Sequence, residues 1–203
     1  MGKILLKNIL HNDVASDVEI AEGLITRISP AGSLHSVDDV EVMDCSGKAV
    51  IPGFVNMHTH AAMSMMRGIG EDIAFHEWLD RIWQLESKID ETYVYHATKV
   101  ACLEMIKTGT TTFNDHYWHM PMAYKAAMET GMRPALSYVV LDRNDPDESE
   151  RQKEQCRQMY QMTKEWDPKA QLLISIHAIY SVREPMMLWA VDFARERGLK
   201  IHI

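Results

Sequence analysis

The chain has 203 residues, 46% hydrophobic and 25% charged, which supplies enough apolar material for a sizeable core and marks a globular rather than a disordered chain. A net charge of −8 works against a nucleic-acid or anionic-membrane surface, since such surfaces draw their affinity from Lys and Arg, so a small molecule is the expected partner. No apolar run reaches membrane-spanning length, MGKILLKNILHND is too interrupted by polar residues for a signal peptide, and Leu6 stands where an acylation signal needs Ser or Thr.

The first fifty residues read as a small β domain. Val18 to Ile20 and Leu24 to Ile28 gather β-formers around Glu22-Gly23, and Ser29-Pro30-Ala31-Gly32 turns the chain, a pattern of short antiparallel strands. From residue 51 to 203 strands alternate with helices, the signature of parallel βα units. Pro52-Gly53 breaks the chain before a strand expected to be buried from Phe54 and Val55, and that strand runs into the motif VIPGFVNMHTH. Side chains at i and i+2 of a strand leave from one face, so His58 and His60 are placed to converge on one divalent ion as neutral nitrogen ligands. On spacing alone, an ordinary pair of satisfied or exposed histidines explains the motif equally well.

Further along, 89–107 carries Val100, Leu103 and Ile106 as an apolar helical stripe before Gly109, and Thr110 to Phe113 is strand-like. A helix over Met120 to Thr130 stops at Gly131, ahead of a strand from Ala135 to Leu141. Asp145-Pro146 offers an N-cap and a first-turn proline, followed by Cys156, Met159, Tyr160, Thr163 and Trp166 on one helical face. A buried strand from Leu172 to Ile176 ends at His177, a helix from Pro185 to Arg197 is closed by Gly198, and a last strand begins at Leu199. Polar groups therefore recur where strands end: His60, Asp115-His116, Asp142, His177 and His202. Barrel active sites lie at that rim, so the fold expected is α/β, the first four to five units of a (β/α)8 TIM barrel. A doubly wound sheet is the competing architecture, but no glycine-rich phosphate loop follows the first strand.

The remaining signals are weaker. His116 and His119 in DHYWH raise a second metal cluster, but the segment spans a strand end and a helix start, and a rim-loop role is the expectation. Met63, Met65 and Met66 are read first as core filling and second as pocket lining. His11, His35, His76 and His96 have no partner at ligand spacing. Cys45, Cys102 and Cys156 are widely spaced without a C-x-x-C, which suits reduced thiols in a cytoplasm.

PGFVNMHTH, MMRGIGEDIAFHEWL, IWQLE, GTTTFND and the terminal KIHI resemble the metal-dependent amidohydrolase superfamily. The nearest branch holds the aminohydrolases and chlorohydrolases, including methylthioadenosine/S-adenosylhomocysteine deaminases. The resemblance implies one divalent cation, Zn2+ or Fe2+, on His58, His60 and His202, with His177 as a catalytic, substrate-facing histidine and Glu86 contacting a ribose. It implies hydrolytic deamination of an aminated heterocycle or nucleoside by a metal-activated water, the ion lowering the water's pKa from about 15.7 towards about 7. Dehalogenation by a chlorohydrolase route is the alternative reaction. A two-metal cyclic amidase is disfavoured because LLISIHAIY lacks the strand-four lysine such enzymes carboxylate. Measured against the family the chain is an N-terminal fragment, truncated in strand five one residue after His202. On that view it is inactive alone, and a non-enzymatic split chain that joins a partner half remains a rival. A homo-oligomer is expected, and Tyr138 stands where nucleoside deaminases carry an arginine.

Overall fold

The computed structural model describes residues 2–35 and 40–203, and the chain divides into two compact units, Met1–Pro52 and Gly53–Ile203. In the first, β1 (Lys3–His11), β2 (Val14–Ala21), β3 (Leu24–Pro30) and β4 (Val40–Asp44) form a sheet in the order β3-β2-β1-β4. The expected antiparallel pairing holds for β1 with β2 and β2 with β3, whereas β4 pairs parallel to β1. Asp17 is fully buried in β2. Lys7 Nζ and the backbone N–H groups of Asn8, Gly32 and Leu34 all donate to its carboxylate, so the buried charge is matched by donors rather than left bare.

The second unit is a parallel sheet of β5 (Phe54–Thr59), β6 (Thr110–His116), β7 (Arg133–Val140), β8 (Gln171–Ile176) and β9 (Lys200–His202), added in chain order. Helices α1 (Phe75–Glu86), α2 (Glu91–Lys107), α3 (Met120–Thr130), α4 (Pro146–Met162) and α5 (Glu184–Arg197) make the crossovers. A doubly wound sheet reverses its strand order at a switch point. Here the order never reverses, as in half of a (β/α)8 barrel.

Local signals set most of the boundaries. The Asp90 carboxylate accepts from Tyr93 N–H at 2.8 Å to start α2, and Asp145 accepts from Asp147 N–H at 3.0 Å to start α4. Gly198 ends α5 with φ of 64°, a left-handed conformation that costs a residue without Cβ little. Two packing clusters fill the sheet–helix interface. Phe113, Met132 and Leu136 pack with Cys102 in one, and Val140, Ile174, Met186 and Phe193 pack with Cys156 in the other. Cys45 packs with Ile9 and Val18 in the small unit, and all three thiols are free and buried.

Two expectations fail. The stripe Val100, Leu103, Ile106 faces outward at 41%, 49% and 44% exposure, while α2 buries Val94, Ala97, Thr98, Ala101, Cys102 and Met105. Small side chains let α2 approach its neighbours closely, so the face with the bulkier apolar groups is the one left out. Phe54 and Val55 are likewise more than half exposed, because β5 is the edge strand and pairs only with β6. Among the described residues no helix is long and apolar enough to cross a membrane.

Candidate metal centre

Parallel pairing brings the carboxyl ends of β5, β6, β8 and β9 to one rim, and with them five imidazoles. His58 Nδ1 lies 2.6 Å from His202 Nε2, and His58 Nε2 lies 3.1 Å from His60 Nε2. His58, His116 and His202 each offer a ring nitrogen within 4.8 Å of the others. The His177 ring centroid is 5.8 Å from that of His116.

Burial disfavours the charged form of His60 and His116. It carries His60 down to about 4 and His116 to about 3, and the neighbouring imidazoles would repel a second positive charge in the same space. His177 and His202 are lowered too, again chiefly by burial. Imidazole nitrogens that face one another have the donor chemistry that Zn2+ or Fe2+ takes, so the residues fit a divalent cation.

The backbone carrying the motif is tied down from behind. Asp115, 3% exposed on the opposite face of β6 from His116, accepts from Thr59 Oγ1 at 2.9 Å and from Ala61 N–H at 2.7 Å. These two bonds bracket His60. Burial pushes the Asp115 carboxyl up to about 6 against the pull of both hydrogen bonds. At the far rim, His177 Nδ1 meets Ser181 Oγ at 2.8 Å, and the Ser181 carbonyl accepts from Arg143 N–H at 3.1 Å. Asp142, fully buried, accepts from Ser149 Oγ at 2.6 Å, Asn144 N–H at 3.2 Å, and Arg183 N–H and Nε–H at 3.1 and 3.3 Å. That network joins the loop after β7 to the loop after β8.

The histidines open onto a cavity of about 300 Å3, walled by Trp78, Trp83, Trp118, Ile82 and Val139. Glu86, the last residue of α1, faces the same space. Its Oε1 accepts from Tyr117 O–H at 2.9 Å, and burial raises its carboxyl above the usual range, opposed by that bond and by Arg143. The Arg143 guanidinium lies 5.4 Å from the Trp83 ring centre.

The five residues singled out from sequence thus meet: His58, His60, Glu86 and His177 line the cavity, and His202 touches His58. His116 was expected in a rim loop and is instead buried in the cluster, because β6 runs three residues beyond Phe113 and turns Asn114 and His116 inward. His119 is separate, exposed at the start of α3 with φ of 52°. Met63 lines the cavity, Met66 is buried and Met65 is exposed. Tyr138 donates to Gln155 Oε1 at 3.0 Å on α4 and does not line the cavity.

Known proteins resemble this chain. A 5'-deoxyadenosine deaminase of Methanococcus aeolicus is 34% identical over 206 residues, covering 98% of this chain and 48% of that protein. The chain spans about half the length of the curated relatives it matches. An adenosine deaminase from Xanthomonas campestris with bound zinc superimposes with a TM-score of 0.85 at 22% identity, over 98% of this chain and 48% of that one. A guanine deaminase from C. acetobutylicum with bound guanine superimposes at 0.77 and 17% identity, over 98% and 51%. Those two likenesses speak to the half-barrel fold. The sequence pattern of the amidohydrolase family matches residues 49–203, and the chain belongs to that family.

Proposed function

We propose that the histidine cavity is the metal-assisted hydrolytic centre of a deaminase acting on an adenine-type nucleoside. In this reading His58, His60 and His202 hold one divalent ion, Zn2+ or Fe2+, and His177 and Glu86 face the substrate. The observation that carries it is the convergence of imidazoles on a cavity that the Glu86 carboxylate also lines. A resident ion there supplies a water activated for attack at neutral pH.

The chain's own groups do the rest of what is assigned to this half. The tryptophans offer flat apolar walls to an aromatic base. His177, held at Nδ1 by Ser181, presents its Nε2 edge to the ring. Glu86 has one oxygen engaged by Tyr117, and its other oxygen is placed to accept from a vicinal diol, as a ribose supplies. The substrate class is supported by the relatives named 5'-deoxyadenosine deaminase. Residues 51–203 are then the N-terminal part of the catalytic barrel and residues 1–50 a separate small β domain. Free buried cysteines favour a cytoplasmic setting, and the open edge at β5 is where further barrel strands, or a second copy in a homo-oligomer, would pair.

Zinc retention after dialysis, measured by elemental analysis, tests the centre. The wild-type chain should keep about one zinc per chain, and a His58→Ala/His60→Ala variant should keep none. Equal metal content in the two would overturn the reading.

A further inference from the structure

Glu86 occupies a poor position for a negative charge. It is the last residue of α1, where the helix dipole presents its negative end, and the last turn holds no basic residue to offset it. Burial opposes ionisation further and raises the carboxyl. Two groups work the other way: Tyr117 O–H donates to Oε1 at 2.9 Å, and Arg143 acts from the loop after β7. Tyr93 of α2 and the cavity histidines His58, His60, His116 and His177 are the other titratable groups around this carboxylate.

Tyr117 follows β6 directly and is 4% exposed. Its ring packs with Ala62 and with Val94 and Ala97 of α2, so the phenol is anchored in the core and is not one of the side chains lining the cavity. The same ring meets His60 edge-on, with centroids 6.2 Å apart and planes at 88°. A core-anchored donor on one carboxylate oxygen fixes the rotation of the carboxyl group and leaves the second oxygen for the cavity. Resting on the nucleoside site proposed above, we propose that Tyr117 is a positioning residue for sugar recognition, which aims the Glu86 carboxylate at the diol and sets its place relative to His60. Burial and the neighbouring Glu86 charge push the Tyr117 phenol up, so its hydroxyl keeps its proton and remains the donor.

Titration of the zinc-loaded 203-residue chain with 5'-deoxyadenosine and with adenine, read by tryptophan quenching, tests this. Tyr117→Phe removes only the hydroxyl and should weaken the nucleoside at least about threefold while leaving adenine unchanged. In a Glu86→Gln background the same change should have no further effect. Loss of a hydrogen bond that favours the carboxylate raises its pKa. On acidification the preference for nucleoside over adenine should therefore fade at a higher pH in Tyr117→Phe than in the wild type. Circular dichroism identifies a variant that has not folded. In that event proton resonance of the wild type decides: Tyr117 should show a slowly exchanging phenolic proton that Glu86→Ala abolishes. Unchanged nucleoside affinity in a folded Tyr117→Phe, equal weakening of both ligands, an undiminished effect beside Glu86→Gln, an unshifted acid limb, or a missing phenolic proton would overturn the role of Tyr117 and leave the nucleoside site standing. A wild type without the preference, or a preference that survives Glu86→Gln, would instead bring down both.

Discussion

Replacing Asp142 with Ala strikes the link between two rim loops. The carboxylate accepts four hydrogen bonds and is fully buried, so its removal takes the acceptor from the partly buried Arg183 N–H and from the exposed Asn144 N–H, while the 1%-exposed Ser149 hydroxyl keeps the Asp145 carbonyl at 3.1 Å. Each buried group left unpaired costs about 1–3 kcal/mol, and breaking a buried ion pair about 3–5 kcal/mol. The Arg183 side chain keeps 29% exposure and regains water, which places the expected loss near 3 kcal/mol, at the lower end of the ion-pair range. Asp142→Asn keeps one acceptor for the two backbone N–H groups and should cost about 1–2 kcal/mol. Urea unfolding gives both values, and hydrogen exchange at the Asn144 and Arg183 amides localises them. The pH dependence has a definite sign. Burial works to raise the Asp142 carboxyl, but hydrogen bonds from Ser149, Arg183 and Asn144 hold it below its ordinary 3.8. The unfolded chain then takes up the proton first. The contribution is fully present above about 3.8 and fades as pH falls through the lower native value. Asp142→Asn should flatten that acid limb. A loss under about 0.5 kcal/mol for Asp142→Ala, the range of an ordinary surface change, would refute the reasoning.

Other changes probe the cavity and the core. His177→Asn should leave zinc content unchanged while weakening 5'-deoxyadenosine at least about tenfold, read by quenching of the cavity tryptophans; loss of the metal would make His177 a ligand. Glu86→Gln should erase roughly a tenfold preference for the nucleoside over its free base, with base binding unaltered. Phe113→Ala, at a fully buried ring in the sheet–helix core, should cost about 3–5 kcal/mol in urea unfolding with the metal site still able to load.

Much of the fold could be read before any coordinates because its punctuation is local. Asp145-Pro146 starts α4 and Gly198 ends α5 through backbone chemistry that no distant contact overrides. Which apolar face of α2 turns inward was not legible in the same way. Both faces are apolar, and the choice is made by how closely a neighbouring element can approach, which favours Ala97, Ala101 and Cys102 over Val100, Leu103 and Ile106. The site divides along the same line. His58 and His60 announce themselves by strand alternation, and His177 and His202 by standing at strand ends. His116 was hidden because its spacing to His119 imitates a helix turn. The available signal was the alternation Asn114, Asp115, His116, which continues the strand and sends the outer two inward. The contact of Ser175 with His116 at 2.5 Å could not be identified from sequence, since it depends on the parallel register that sets a serine of β8 opposite a histidine from β6.

The three thiols give this chain built-in probes of its own opening. Only a thiolate attacks a labelling reagent, and burial pushes Cys102 up to about 11 and Cys156 up to about 12. Both are also sealed from solvent, and Cys45 is nearly so. Near neutral pH, a maleimide should therefore modify only molecules that have transiently come apart. Each sulfur belongs to a different packing cluster, so the order in which mass spectrometry finds them tagged gives the order in which the three regions give way.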